Sequence, residues 1–74
     1  MKQLPKLALA SDELEALRLV DMLGLQQLEA AQQLGVSRQT LGNIIARGRH
    51  KVAQALVMGM ALELASDSIQ TIED

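Results

Sequence analysis

Apolar residues along the first sixty positions recur at helical spacing, in three bursts separated by glycine. The first burst opens at Ser11 or Asp12. Leu14, Leu17, Val20 and Leu23 repeat every three residues, and Ala16 and Leu19 widen the stripe. The acids of SDELE fall in the first turn, where the helix dipole favours them, and Gly24 stops the helix. The second burst predicts a helix over 27–34. Leu28, Ala31 and Leu34 share a face with Ala30 beside them, and Gly35 ends it. Its N-cap position holds Gln26, where Ser or Thr would cap better.

The third helix starts behind Ser37, a good N-cap. At about 100° per residue, Ile45, Gly48, Val52 and Leu56 lie within about 60° of Leu41 and form the expected buried stripe. Gln39, Asn43, Arg47 and His50 fall on the opposite side. Gly42, on the flank of the stripe, reads equally well as a site of close backbone approach and as a tolerated defect. Behind this helix, residues 55–65 (ALVMGMALELA) contain one polar side chain, Glu63, and predict a helix that is apolar all round. Residues 1–10 read as an extended or frayed lead-in, and 66–74 as an acidic flexible tail. The expected fold is therefore all-α: a helix-turn-helix domain over 11–65, whose third helix is long or is followed by an apolar C-terminal one.

A single domain of 74 residues is expected to be marginally stable alone, and it has neither Cys nor aromatic residues to reinforce it. Oligomerisation is the natural remedy. A homodimer through Leu56, Val57, Met60 and Leu64 is expected, because one small domain cannot shield every side of the apolar segment. No run approaches a bilayer span, so no membrane partner is expected. The absence of Cys fits a cytoplasmic location.

The net charge of −2 argues against a polyanion as ligand, but the charges are sorted along the chain. Between Ala30 and Leu62 there is no acid, while Arg38, Arg47, Arg49 and Lys51 are cationic. This window holds the segment LGVSRQTLGNIIARGRHK. Ala31 lets two helices approach, Gly35 makes a sharp turn, Val36 plugs the corner, and Ser37 caps the next helix. Arg38, Gln39 and Asn43 in its first turns are placed to contact base edges. Ser37, Thr40, Arg47, Arg49, His50 and Lys51 are placed to contact phosphates. His50 has no partners for a metal site, and Asp12, Glu13 and Glu15 are ordinary first-turn acids. No cofactor and no enzymatic activity are expected.

DELEALRLVD, followed by GLQQLEAAQQLGVSRQTLGNIIARGRHKVAQAL, closely resembles a family of small, uncharacterised, predicted DNA-binding proteins of bacteria and archaea. Their helix-turn-helix is similar to the fourth region of bacterial sigma factors. The resemblance runs from about Leu9 to Ala61. It departs in a shorter N-terminal segment, in Gln26 where Ser is usual, and in Leu41 where a larger residue is usual. It implies sequence-specific binding of double-stranded DNA and transcriptional regulation, with the transcription machinery as a further partner. The dimer would span two half-sites about one helical turn apart, or a multiple of it. The rival expectation is a protein-interaction module, in which the sigma-like unit and the apolar segment dock on another protein.

Overall fold

A computed structural model describes residues 4–65. The chain runs β1 (Lys6–Leu9), α1 (Ser11–Ala16), a π-helical continuation of α1 (Leu17–Met22), α2 (Gln27–Leu34), α3 (Arg38–Met58) and β2 (Ala61–Leu64). α3 packs against both α1 and α2. The core between them is Ala16, Leu19, Ala30, Ala31, Leu41, Ile44 and Ile45, with Leu17, Val20, Leu25, Leu34 and Val36 around it.

The fold is mostly helical but not all-α. β1 and β2 form a parallel two-stranded sheet in which Lys6 pairs with Ala61 and Leu9 with Leu64. Parallel strands require a crossover connection, and here all three helices lie between them. Within the expected lead-in, Lys6–Leu9 is extended and paired. Alternation along β1 leaves Leu9 buried and Leu7 half-buried, while Lys6 and Ala8 are exposed. Of the two expected forms α3 takes the long one, 21 residues ending with Ala55–Met58, and no separate C-terminal helix follows it among the described residues. α3 ends at Gly59, where the N–H of Met60 closes on the carbonyl of Ala55 (2.9 Å), and the chain continues as β2. The acidic tail assigned to 66–74 lies outside the described residues.

The buried line of α1 is Glu13, Ala16 and Leu19, one residue ahead of the expected Leu14–Leu17–Val20 stripe, which is half-buried. Two causes act together. Glu13 is drawn inward by cations from α3. The second half of the helix is wound wider, with the N–H of Leu23 donating to the carbonyl of Arg18 five residues back (2.9 Å). Leu23 is consequently exposed. On α3 the buried set is Leu41, Ile44, Ile45, Gly48 and Ala55. Val52 is half-buried and Leu56 exposed, because the last turn of α3 extends past α1 and α2. Gly48 sits where α1 crosses: a Cβ there would lie 3.3 Å from the Leu17 side chain.

The turn between α2 and α3 is three residues long. Gly35 is left-handed (φ 73°), its N–H donates to Gln32 (3.2 Å), and the N–H of Val36 donates to Ala31 (3.0 Å). These are the paired bonds of a Schellman closure. A Cβ at Gly35 would meet nothing within 4 Å, so Gly35→Ala isolates the backbone cost. It should lower stability by about 1–2 kcal/mol, read as a fall in the urea midpoint with the slope unchanged.

Candidate nucleic-acid interface

Ser37 begins α3 with an extended backbone, and its Oγ accepts from the N–H of Thr40 (3.0 Å). The same hydroxyl donates to Thr40 Oγ1 (2.9 Å). The proton of Ser37 is therefore used within the cap, and Thr40 keeps its own hydroxyl proton for an external acceptor. Arg38, Gln39, Thr40, Asn43, Ala46, Arg47 and His50 are exposed along the outward side of α3. None of Arg38, Gln39, Asn43 and His50 has a side-chain hydrogen bond among the described residues. The three residues expected to read bases thus share one solvent-facing stretch. Gly42 faces elsewhere: a Cβ there would lie 3.6 Å from Gln27 Oε1, on the α2 side.

The cations of the second half of α3 are engaged by carboxylates of α1. Arg47 Nε donates to Glu13 Oε2 (3.3 Å), and its Nη2 lies 3.9 Å from Asp12. Arg49 grips both carboxylate oxygens of Asp21, at 3.1 and 2.7 Å. Lys51 Nζ donates to Glu13 Oε1 (2.8 Å) and to the carbonyl of Ala8 in β1 (2.9 Å). Lys51, expected at phosphate, is here an internal tie between β1, α1 and α3. Arg49 and Asp21 are both half-exposed, a pair worth roughly 0–1 kcal/mol that phosphate can displace at small cost. Arg47 is half-exposed as well, but its partner Glu13 is buried and on release would keep only Lys51 and the N–H of Ala10. Among the described residues of α3, Arg38 alone is a cation without an ion-pair partner.

Glu13 is the centre of this arrangement. Its side chain is 4% exposed. Burial alone would raise its pKa. Hydrogen bonds from Lys51, from the N–H of Ala10 and from Arg47 outweigh that and hold the carboxyl below its ordinary value. Sequence reading took Glu13 for a dipole-compensating acid and missed its role, because Lys51 is 38 residues away. The usable signal was its spacing of three and six residues from Ala16 and Leu19.

A model of the family described as "Protein of unknown function DUF134" matches residues 1–71. The chain belongs to this family. It is 65% identical over 65 residues to a UPF0251 protein of Vibrio vulnificus (strain CMCP6), covering 88% of this chain and 65% of that protein. It is 53% identical over 74 residues to a UPF0251 protein of Aeromonas salmonicida (strain A449), covering all of this chain and 72% of that one. A UPF0251 protein of Vibrio parahaemolyticus is 55% identical over 60 residues, 81% of this chain and 62% of that protein. The chain thus spans about two thirds of the length of these relatives. No solved structure matches it significantly. Among the described residues of this DUF134 chain, no helix is long and apolar enough to cross a membrane.

The residues expected at a dimer contact are placed unevenly. Leu56 and Val57 project from the last turn of α3, 78% and 84% exposed. Met60 is half-buried beyond the helix end, and Leu64 lies in β2. They do not form one helical stripe.

Proposed function

We propose that this chain binds double-stranded DNA as a transcriptional regulator, with the first turns of α3 in the major groove. The observation that carries the reading is the uncovered outward stretch Arg38–Gln39–Asn43, set directly behind a tight glycine turn and a hydroxyl cap. These are the side chains whose donors and acceptors match base edges: Arg to guanine, Asn and Gln to adenine. Thr40 and His50 flank the reading positions and contact phosphates. Arg47 and Arg49 join them by exchanging Asp12, Glu13 and Asp21 for the DNA backbone. The unit is similar to the helix-turn-helix of the fourth sigma region, in which the second helix reads the groove.

A second reading is favoured by one observation. Arg47, Arg49 and Lys51 are already neutralised within the chain, while Met22, Leu23 and Leu28 are exposed around the junction of α1 and α2. Such a surface suits a protein partner, including a component of the transcription machinery.

Titration of a mixed-sequence duplex at two salt concentrations separates the two. DNA binding through Arg47 and Arg49 at phosphate gives an affinity that falls with salt, with a slope of about −2 per chain on logarithmic axes. No binding at low salt would remove the DNA reading and leave the protein-docking one.

A further inference from the structure

We infer that the outer edge of β2 is a docking edge, and that its occupant is a second copy of the chain. The copy adds antiparallel to β2, turning two strand pairs into one four-stranded sheet.

The direction of the main-chain groups settles which edge is open. The N–H of Ala61 donates to the carbonyl of Pro5 (2.9 Å), so Ala61 and Glu63 turn their main-chain groups toward β1. Leu62 and Leu64 turn theirs outward. On β1 the same alternation turns Lys6 and Ala8 outward, and the carbonyl of Ala8 is already taken by Lys51 (2.9 Å). Lys51 is in turn held by the buried Glu13. The edge of β1 is therefore blocked by an ammonium group, a usual device against strand addition. Among the described residues, no hydrogen bond from elsewhere in the chain reaches the outward groups of β2.

The surroundings of that edge are apolar. Leu56, Val57 and Met58, 78%, 84% and 65% exposed, end α3 with two residues between them and β2, and Leu62 and Leu64 stand on the strand itself. From Leu56 to Leu64 the only charge is Glu63. A stable interface covers about 800 Å² per partner, roughly a seventh of the chain's 5250 Å². Five of the nine large apolar side chains exposed among the described residues lie between Leu56 and Leu64.

Glu63 excludes one register. Centred on Glu63, two carboxylates would face each other, which destabilises a strand pair. Centred on Leu62, the leucine meets its own copy and Glu63 lies opposite the partner's Ala61. The strand is thus self-complementary without a like-charge clash. The dimer contact expected along a C-terminal helix moves to a strand edge capped by the end of α3.

The test is sedimentation equilibrium of the whole chain across micromolar concentrations, with hydrogen exchange at the amides of Leu62 and Leu64. The expected result is a particle of twice the 8.0 kDa chain mass, with both amides protected as concentration rises. Leu62→Pro removes an outward N–H and spares the bonds to β1, so it should give a monomer with unchanged helical circular dichroism. Should that variant fail to fold, Leu62→Lys keeps the backbone and should raise the dissociation constant roughly tenfold or more. A monomeric wild type overturns the inference. So does a dimer indifferent to either substitution, or a monomer with both amides protected at every concentration, in which residues 66–74 would occupy the edge. None of these outcomes depends on whether α3 binds DNA.

Discussion

Glu13→Ala should lower the unfolding free energy by roughly 2–3 kcal/mol, a large part of what a domain of this size has. The substitution removes the acceptor for Lys51, for Arg47 and for the N–H of Ala10 at once. Breaking a fully buried pair costs about 3–5 kcal/mol, but Lys51 and Arg47 reach solvent once released, which places this site below that range. Glu13→Gln keeps an oxygen for Ala10 and should cost less. Lys51→Ala should act through the same tie and destabilise β1, leaving the reading face of α3 untouched. In a double-mutant cycle, Glu13→Ala and Lys51→Ala should be strongly non-additive. Urea unfolding of the four proteins checks this, and additive losses would mean that the tie is not one unit.

The pH dependence has a fixed sign. The folded pKa of Glu13 lies below the ordinary 4.5, so its contribution is complete above that value. It is lost as pH falls through the folded value. Glu15 and Asp21 are lowered too, by hydrogen bonds from Arg18 and Arg49, but both are well exposed and add little. Acid unfolding below pH 4.5 should therefore be blunted in Glu13→Gln. A wild-type midpoint unaffected by that substitution would assign the acid sensitivity elsewhere.

Asn43→Ala should leave folding unchanged and relax base preference at one position of the DNA site. Asn43 is exposed on the outward side of α3, without a side-chain hydrogen bond among the described residues. No side-chain hydrogen bond among the described residues is lost on truncation. A bidentate contact to adenine is worth about 1–3 kcal/mol of discrimination, a five- to roughly 150-fold preference. Selection from random duplexes with wild type and variant measures it. Equal loss on all sequences would make Asn43 a backbone contact. Arg38→Ala, by contrast, should weaken binding on every site as well as at its own base, since it removes the one α3 cation without an ion-pair partner among the described residues.

Much of this was legible in the sequence, and the rest failed for identifiable reasons. The bounds of α2 follow from its spacing and from Gly35, and the start of α3 follows from Ser37. These are local signals, carried by residues within one turn of the boundary. β2 was not legible as a strand. ALEL favours helix by composition, and what makes it a strand is Pro5 to Leu9, more than fifty residues earlier. Gly59 was the available sign that α3 stops. The outward positions of Gln39 and Asn43 could be read from helical periodicity alone, whereas Arg38, about 60° from Leu41 on the same count, is exposed at the first position of α3. The pairing of Arg47, Arg49 and Lys51 with α1 could not. An acid-free window says nothing about carboxylates that another helix brings across, and three cations counted for phosphate contact came out engaged.

The account turns on α3 meeting DNA by its first turns, and amide chemical-shift mapping of the whole chain with a short duplex tests that most directly. The predicted result is a set of shifted amides centred on Ser37 through His50, with smaller shifts at Asp12, Glu13 and Asp21 where Arg47 and Arg49 are released, and with Leu23 to Leu28 still. Shifts centred on Met22 to Leu28, or no shifts at low salt, would contradict it.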